Sequence, residues 1–125
     1  MKLVIDRSKW YRGQRTGSRL LRHDGKMCCL GFYGSEVGVP QECMLDIVSP
    51  SNTTPNPKHK NLGMGRPMWK TPKEDASWLF NDLGNHSSAC QALIESNDDC
   101  MPEDVREKNI QAIFANHGVE VEFVG

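Results

Sequence analysis

Two adjacent thiols are the first candidates for chemistry in this chain. Cys28 and Cys29 follow an Asp-Gly turn signal and stand where a helix is predicted to begin. A helix dipole can lower the pKa of such a thiol, and cysteine hydrolases pair the resulting thiolate with a histidine base. His117 is the candidate base, and Asp24 or Asn81 is the candidate orienting group. The simpler alternative is that both thiols are buried packing groups. This alternative is favoured because no nucleophile motif accompanies them.

A second candidate site combines aromatic and cationic side chains near the start of the chain. Trp10 and Tyr11 stand beside Arg12 and Arg15. Flat aromatic rings stack on nucleotide bases, and guanidinium groups bind phosphates through paired hydrogen bonds. The alternative, which weighs somewhat more, is a tryptophan anchored in the core with arginines solvated around it.

The sequence predicts neither a metal site nor a cofactor. His86 and Cys90 stand four residues apart, Cys43 and Cys100 are isolated, and neither Cys-x-x-Cys nor His-Glu-x-x-His occurs. Gly63-Met64-Gly65 lies in a proline-rich stretch rather than between a strand and a helix, so we interpret it as turn chemistry.

The formal net charge of −1 is unevenly distributed. Residues 1–26 carry eight Lys or Arg against two Asp, giving +6, whereas residues 95–125 carry two cations against eight acids, giving −6. On separate faces, the basic segment would suit phosphates or an acidic partner. If the two segments lie together, they neutralise one another instead. The acidic C-terminal end argues against strong nucleic-acid binding.

Length and composition predict one soluble globular domain over residues 1–125. The chain is 38% hydrophobic and 25% charged, which is ordinary for a folded protein. No apolar run approaches the ~20 residues that span a bilayer, so no membrane partner is expected. The five cysteines are an odd number and two are adjacent, which indicates reduced thiols and an intracellular location.

The candidate residues must be positioned by strands and helices, and the sequence pattern of these elements predicts an α+β fold. We expect a small, mostly antiparallel sheet with about three helices packed on one face. Alternating apolar residues predict strands at 2–6, 18–23, 77–81 and 119–123. Helical signals cover 28–37, 40–47, 88–96 and the stretch from Pro102 to just before Gly118. Five prolines predict a long loop at about 48–73.

Three local details of the helices are also predicted. Ser88 and Gln91 have the spacing of a capping box. Two glycines inside the 28–37 helix weaken it unless another element packs closely against them. In the last helix, one buried apolar stripe is expected to contain Val105, Ile110, Ile113 and Phe114.

The segment Asp24-Gly25-Lys26-Met27-Cys28-Cys29-Leu30-Gly31-Phe32 resembles a family of small uncharacterised bacteriophage and prophage proteins. The opening residues 5–13, the later 96–99 and the ending 118–123 share the likeness, whereas 40–75 does not. The resemblance implies an accessory phage product acting in the cytoplasm of the bacterial host. Such proteins often inhibit host defence, either by sequestering nucleotide immune signals or by blocking a host effector.

The leading hypothesis is therefore a non-enzymatic counter-defence protein that sequesters a nucleotide-derived immune signal. The rings of Trp10 and Tyr11 would stack on the base, and Asn81 or Asn97 would bond to ribose. The phosphates would be held by four cations, Arg12, Arg15, Arg22 and Lys26. Alternatives are an inhibitor that binds a host defence protein directly through one charged face, and a less favoured cysteine-dependent hydrolase. A homo-oligomer is slightly favoured, because a second subunit commonly completes the pockets of very small proteins.

Overall fold

The structure is a computed structural model that describes residues 1–50, 78–79 and 87–125. Within these residues the elements, in chain order, are β1 (Lys2–Asp6), α1 (Cys29–Val37), α2 (Gln41–Met44), α3 (Ser88–Asp98), α4 (Glu103–Ala115) and β2 (Glu120–Val124). Most of the predicted 48–73 loop and of the predicted 77–81 strand lies outside the described residues, and Trp78 and Leu79 themselves form part of a turn.

The described sheet consists of β1 and β2, which run parallel with Lys2 opposite Glu120 and Leu3 opposite Val121. The prediction of a mostly antiparallel sheet is therefore wrong, and the described helices number four rather than about three. Alternation along a strand shows which face is buried, but it carries no information about the direction of the partner strand. The alternation itself is confirmed, since Leu3, Ile5 and Val121 are buried.

The predicted strand at 18–23 is also wrong. The Leu20 N–H donates to the Ile47 carbonyl at 2.7 Å, and Leu21 forms a single isolated bridge with Leu45. This segment therefore pairs with the irregular chain after α2 and not with a neighbouring strand. The turn that follows is confirmed, because Gly25 adopts a φ of 85° that few other residues tolerate.

The first helix forms where the sequence predicts it and ends at Gly38. Its interior Gly31 is required by packing, since a Cβ atom there would lie 1.8 Å from the Leu20 carbonyl oxygen. The close approach of the Leu20 backbone is the tight packing that an interior glycine needs.

The two later helices differ from prediction in detail. Ser87, and not Ser88, caps α3 by accepting the Cys90 N–H at 3.1 Å. In α4, Val105 is 42% exposed whereas Arg106 is only 2% exposed. The buried stripe of this helix was predicted from its apolar residues alone. Such a prediction cannot identify a buried arginine.

The core lies between the buried face of the sheet and the helices. Its largest buried side chains include Tyr33 of α1 and Phe114 of α4, whose ring centroids lie 5.5 Å apart. The Trp78 ring packs edge-on against both and donates its indole N–H to the Tyr33 hydroxyl at 3.0 Å. Such aromatic pairs add roughly 0.5–1.5 kcal/mol each beyond the area they bury.

Candidate functional site

Asn97 of α3 connects the N-terminal segment to α1. Its side chain is buried, and its Oδ1 accepts the Trp10 indole N–H at 2.8 Å and the Cys29 backbone N–H at 3.0 Å. Its Nδ2 lies 3.1 Å from both the Tyr11 carbonyl oxygen and the Ser18 hydroxyl. Protein groups thus satisfy both ends of the amide, which places Asn97 in the framework rather than against a ribose.

Trp10 lies in the interior, with 2% of its surface exposed. The Phe123 ring packs at a centroid distance of 5.0 Å, and the guanidinium carbon of Arg12 lies 4.5 Å from the indole centroid. A base could stack on this ring only by displacing one of these groups. Of the two interpretations of the Trp10 segment, the structure therefore supports the anchored tryptophan.

The two charged segments of the chain meet and neutralise one another. Arg12 donates to Glu103 at 3.0 Å, and Arg7 forms a two-pronged pair with Glu107 at 2.9 and 2.8 Å. Partial burial raises the pKa of Glu103, but hydrogen bonds and charge from Arg12 and Arg106 outweigh it and leave the pKa below its ordinary value. The Arg12 guanidinium is therefore paired with Glu103 of the same chain.

Tyr11 and Arg22 also contact each other rather than an open pocket. The Arg22 guanidinium carbon lies 3.9 Å from the Tyr11 ring centroid, a cation–π contact. The Tyr11 hydroxyl donates to the Thr16 carbonyl at 3.2 Å, and Arg22 donates to the Gly17 carbonyl at 2.6 Å and to the Asp24 carboxylate. One face of the Tyr11 ring is thus covered.

The remaining predicted ligand residues are separated from this framework. Arg15 and Lys26 have exposed side chains that make no hydrogen bond or ion pair within the described residues. Asn81 lies outside them. Among the described residues, the structure therefore does not bring the predicted set together in one pocket. Lys26 and Arg22 instead line a cleft on another surface, although Arg22 also contacts Tyr11.

The two thiols are poor nucleophiles in this setting. Burial raises the pKa of Cys28 to about 12 and raises that of Cys29 well above its usual value. Loss of solvation in this buried setting outweighs the lowering of the pKa that a helix dipole can give. The His117 ring stacks on Trp78 at 4.0 Å, and no contact in the described part of the chain joins it to either thiol.

An open cleft lies between the 22–26 turn and α2, with a volume of about 880 Å³. This volume suits a small organic ligand. Besides Gly25 and the neutral polar residues Ser8, Ser35 and Gln41, the lining contains three chemical groups. Its apolar side chains are Leu21, Met27, Met44 and Leu45; its basic side chains are Lys9, Arg22, His23 and Lys26; and its carboxylates are Asp24 and Glu42.

Backbone pairing fixes Lys9 and Lys26 on the same side of this cleft. The Met27 N–H donates to the Lys9 carbonyl, and the Tyr11 N–H donates to the Met27 carbonyl, both at 2.9 Å. The Asp24 carboxylate accepts the Lys26 backbone N–H at 3.0 Å and thereby holds the turn. The backbones of Lys9 and of the 26–27 segment are consequently held next to each other at the cleft.

The opposite wall is held by contacts across the cleft. The Asp46 N–H donates to the Leu21 carbonyl at 2.9 Å, and the Asp46 carboxylate contacts the His23 ring. Asp46 adopts a φ of 61°, a left-handed conformation that aspartate tolerates better than most residues. These bonds join the 21–23 segment to the chain after α2, next to Met44 and Leu45 in the cleft lining.

Sequence reasoning missed most of this cleft. Arg22 and Lys26 belong to the predicted set, but Lys9, Met27 and Met44 were not among the predicted ligand residues. The sequence predicts the turn at Asp24-Gly25 and the helix that begins after Pro40, which form the two walls of the cleft. Neither pattern predicts that these two elements face each other. The buried Arg106 had no signal at all.

No protein-family model, no curated protein and no solved structure matches this chain. Among the helices that the structure describes, none has the length and apolar character needed to cross a membrane. Within the same residues, His, Cys, Asp and Glu side chains form no group of three or more suited to a metal ion.

Proposed function

We propose that this protein is a non-enzymatic binding protein that sequesters a phosphate-bearing, nucleotide-derived signal in the cleft between the 22–26 turn and α2. The observation that carries the proposal is the chemistry of the cleft, whose lining combines apolar side chains with two exposed lysines, Lys9 and Lys26, termed the lysine rim. A thioether such as that of the partly buried Met27 packs well against aromatic rings, which suits a base. Ammonium groups bind phosphates as compact point charges.

The availability of the lysines distinguishes this cleft from the Trp10 segment. Within the described residues, neither Lys9 nor Lys26 makes an ion pair, so a phosphate would not have to displace an internal acid. Arg12, by contrast, would have to leave Glu103. Three cationic side chains face two carboxylates in the lining, and Asp24 is already bonded to Arg22. The electrostatic balance therefore favours an anion.

The buried, weakly acidic thiols support binding rather than hydrolysis. A cysteine nucleophile needs an accessible thiolate, and burial stabilises the protonated forms of Cys28 and Cys29. The biological setting rests on the resemblance to bacteriophage proteins. In that setting the protein acts in the host cytoplasm as a sponge that lowers the concentration of a defence signal.

Calorimetric titration of the protein with cyclic di- and trinucleotides and ADP-ribose derivatives tests the proposal. Mass spectrometry of small molecules released by heating the purified protein is the second measurement. We expect one panel member to bind, and the Lys9→Ala/Lys26→Ala variant to lose at least about tenfold in affinity, since each charged hydrogen bond contributes roughly 1.5–3 kcal/mol. Arg15→Ala is the matched control and keeps full affinity. A panel without binding, together with no released ligand, would remove the proposal.

A second candidate function, direct inhibition of a host defence protein, is favoured by exposed apolar residues beside the cleft. Leu45 and Val48, three residues apart in sequence, are 39% and 53% exposed, and apolar surface of this kind is removed from water when a partner protein covers it. Pull-down from host lysate separates the two functions. A stoichiometric protein partner that is lost in Leu45→Asp/Val48→Asp would support inhibition, whereas a sponge recovers no such partner.

A further inference from the structure

The backbone of β2 presents hydrogen-bonding groups at two edges. The Glu120 N–H donates to the Met1 carbonyl at 2.9 Å, so residue 120 faces β1. In a parallel ladder, successive residues point their N–H and C=O groups in opposite directions. Val121 and Phe123 therefore direct their backbone groups to the outer edge of β2.

This outer edge is mostly unpaired. The Val121 carbonyl accepts the Gln111 side-chain amide at 3.2 Å, a substitute for the N–H of a neighbouring strand. The Val121 N–H and both backbone groups of Phe123 have no partner in the part of the chain that the structure describes. An open groove of about 420 Å³ runs beside them, bordered by Glu107 and Gln111 of α4. Unpaired strand edges beside a groove accept an extended peptide as an added strand.

Charge identifies the occupant that fits. The groove is lined by three carboxylates, of Glu107, Glu120 and Glu122, against the cations of Lys2 and Arg7. Lys2 pairs with Glu122 and Arg7 with Glu107, which leaves Glu120 without an ion pair among the described residues. A second copy of β2 would bring its own glutamates against these, and like charges on facing strands are destabilising.

We propose that the outer edge of β2 binds an extended, basic segment of another protein as a third strand. Lys or Arg at every second position would face Glu120 and Glu122 on the outer face of the sheet. The intervening apolar residues would continue the inner face beside Val121 and Phe123. Gln111, which is exposed, rotates away to release the Val121 carbonyl. This surface is separate from the cleft and does not depend on the function proposed for it.

Amide hydrogen exchange measured by NMR tests the edge directly. The intact ¹⁵N-labelled protein is titrated with an octapeptide of alternating lysine and valine and with its glutamate–valine counterpart. We expect the lysine peptide alone to slow exchange at the Val121 and Phe123 amides. Glu120→Lys should weaken its binding about five- to tenfold, and the exposed control Glu36→Lys should not.

Each other outcome overturns the inference. If neither peptide protects these amides, or if both peptides protect them equally, the edge does not select a basic strand. If the lysine peptide protects other residues, its site lies elsewhere. If the two amides are already protected in a dimer detected by analytical ultracentrifugation, a second copy occupies the edge. The spectrum of each variant shows whether it remains folded before affinities are compared.

Discussion

Replacement of Arg106 by methionine tests the framework that holds the N-terminal segment. Arg106 is buried, and its Nη1 lies 2.8–3.0 Å from the carbonyl oxygens of Ser96, Asn97 and Asp99. Its Nη2 donates to the Met101 carbonyl at 3.2 Å. The last carbonyls of a helix lack intrahelical partners and carry the negative end of its dipole. Arg106 thus caps the end of α3 from within the core.

The size of the effect follows from what methionine leaves behind. Methionine keeps most of the apolar stem but offers no donor. The carbonyls of Ser96, Asp99 and Met101 lose this partner, whereas the Asn97 carbonyl keeps the Gly13 N–H. Each unsatisfied buried group costs roughly 1–3 kcal/mol, and the half-exposed Glu103 adds little when its ion pair is lost. Because these losses overlap, we expect Arg106→Met to lower the free energy of unfolding by about 3–5 kcal/mol.

Urea unfolding followed by far-ultraviolet circular dichroism measures this change. Lys108→Met is the matched control, since Lys108 is exposed on the same helix and should change stability by no more than about 0.5 kcal/mol. Arg106→Lys keeps the charge but loses the planar fork of donors, so its stability should fall between the two. A loss below about 1 kcal/mol for Arg106→Met would refute the capping role.

Three further predictions concern stability and reactivity. Gly31→Ala should lower the melting temperature despite a helix propensity gain of about 1 kcal/mol, because its Cβ would meet the Leu20 carbonyl; a higher melting temperature would contradict this. A thiol reagent at mildly alkaline pH should modify exposed Cys100 in the folded protein but not Cys28, whose pKa is about 12, and peptide mass mapping would reveal any labelling there. The lowered pKa of Glu103 adds stability that is present above its ordinary pKa of 4.5 and is lost as the pH falls through the folded value. Acid titration of Glu103→Gln should therefore show a smaller loss of stability than wild type, and an identical loss would count against the ion pairs.

Local signals in the sequence located several elements correctly. Gly38 and Pro102 mark helix ends that depend only on neighbouring residues, and the alternation around Val121 shows which face of β2 is buried. Strand direction and strand number depend on contacts between distant segments. Residues 2–6 pair with residues 120–124, and nothing in either pattern specifies a parallel partner.

The candidate site was less predictable for the same reason. Trp10 and Arg12 have the residue types of a nucleotide site, but Asn97 bonds to Trp10 from 87 residues later and Glu103 bonds to Arg12 from 91 residues later. Whether a cation is available to a ligand depends on such distant acids. Lys9 forms no ion pair within the described structure, which its own neighbourhood in the sequence, with Asp6 three residues away, does not reveal.

The central claim is that a phosphate-bearing ligand binds at the lysine rim of the cleft while Trp10 remains part of the framework. A ¹⁵N NMR titration with the best ligand from the calorimetric panel tests it most directly. The account predicts that the amide signals of Lys9, Lys26 and Leu45 shift while the Trp10 indole N–H signal, bonded to Asn97, stays in place. A shifted indole signal with unmoved cleft amides would contradict it.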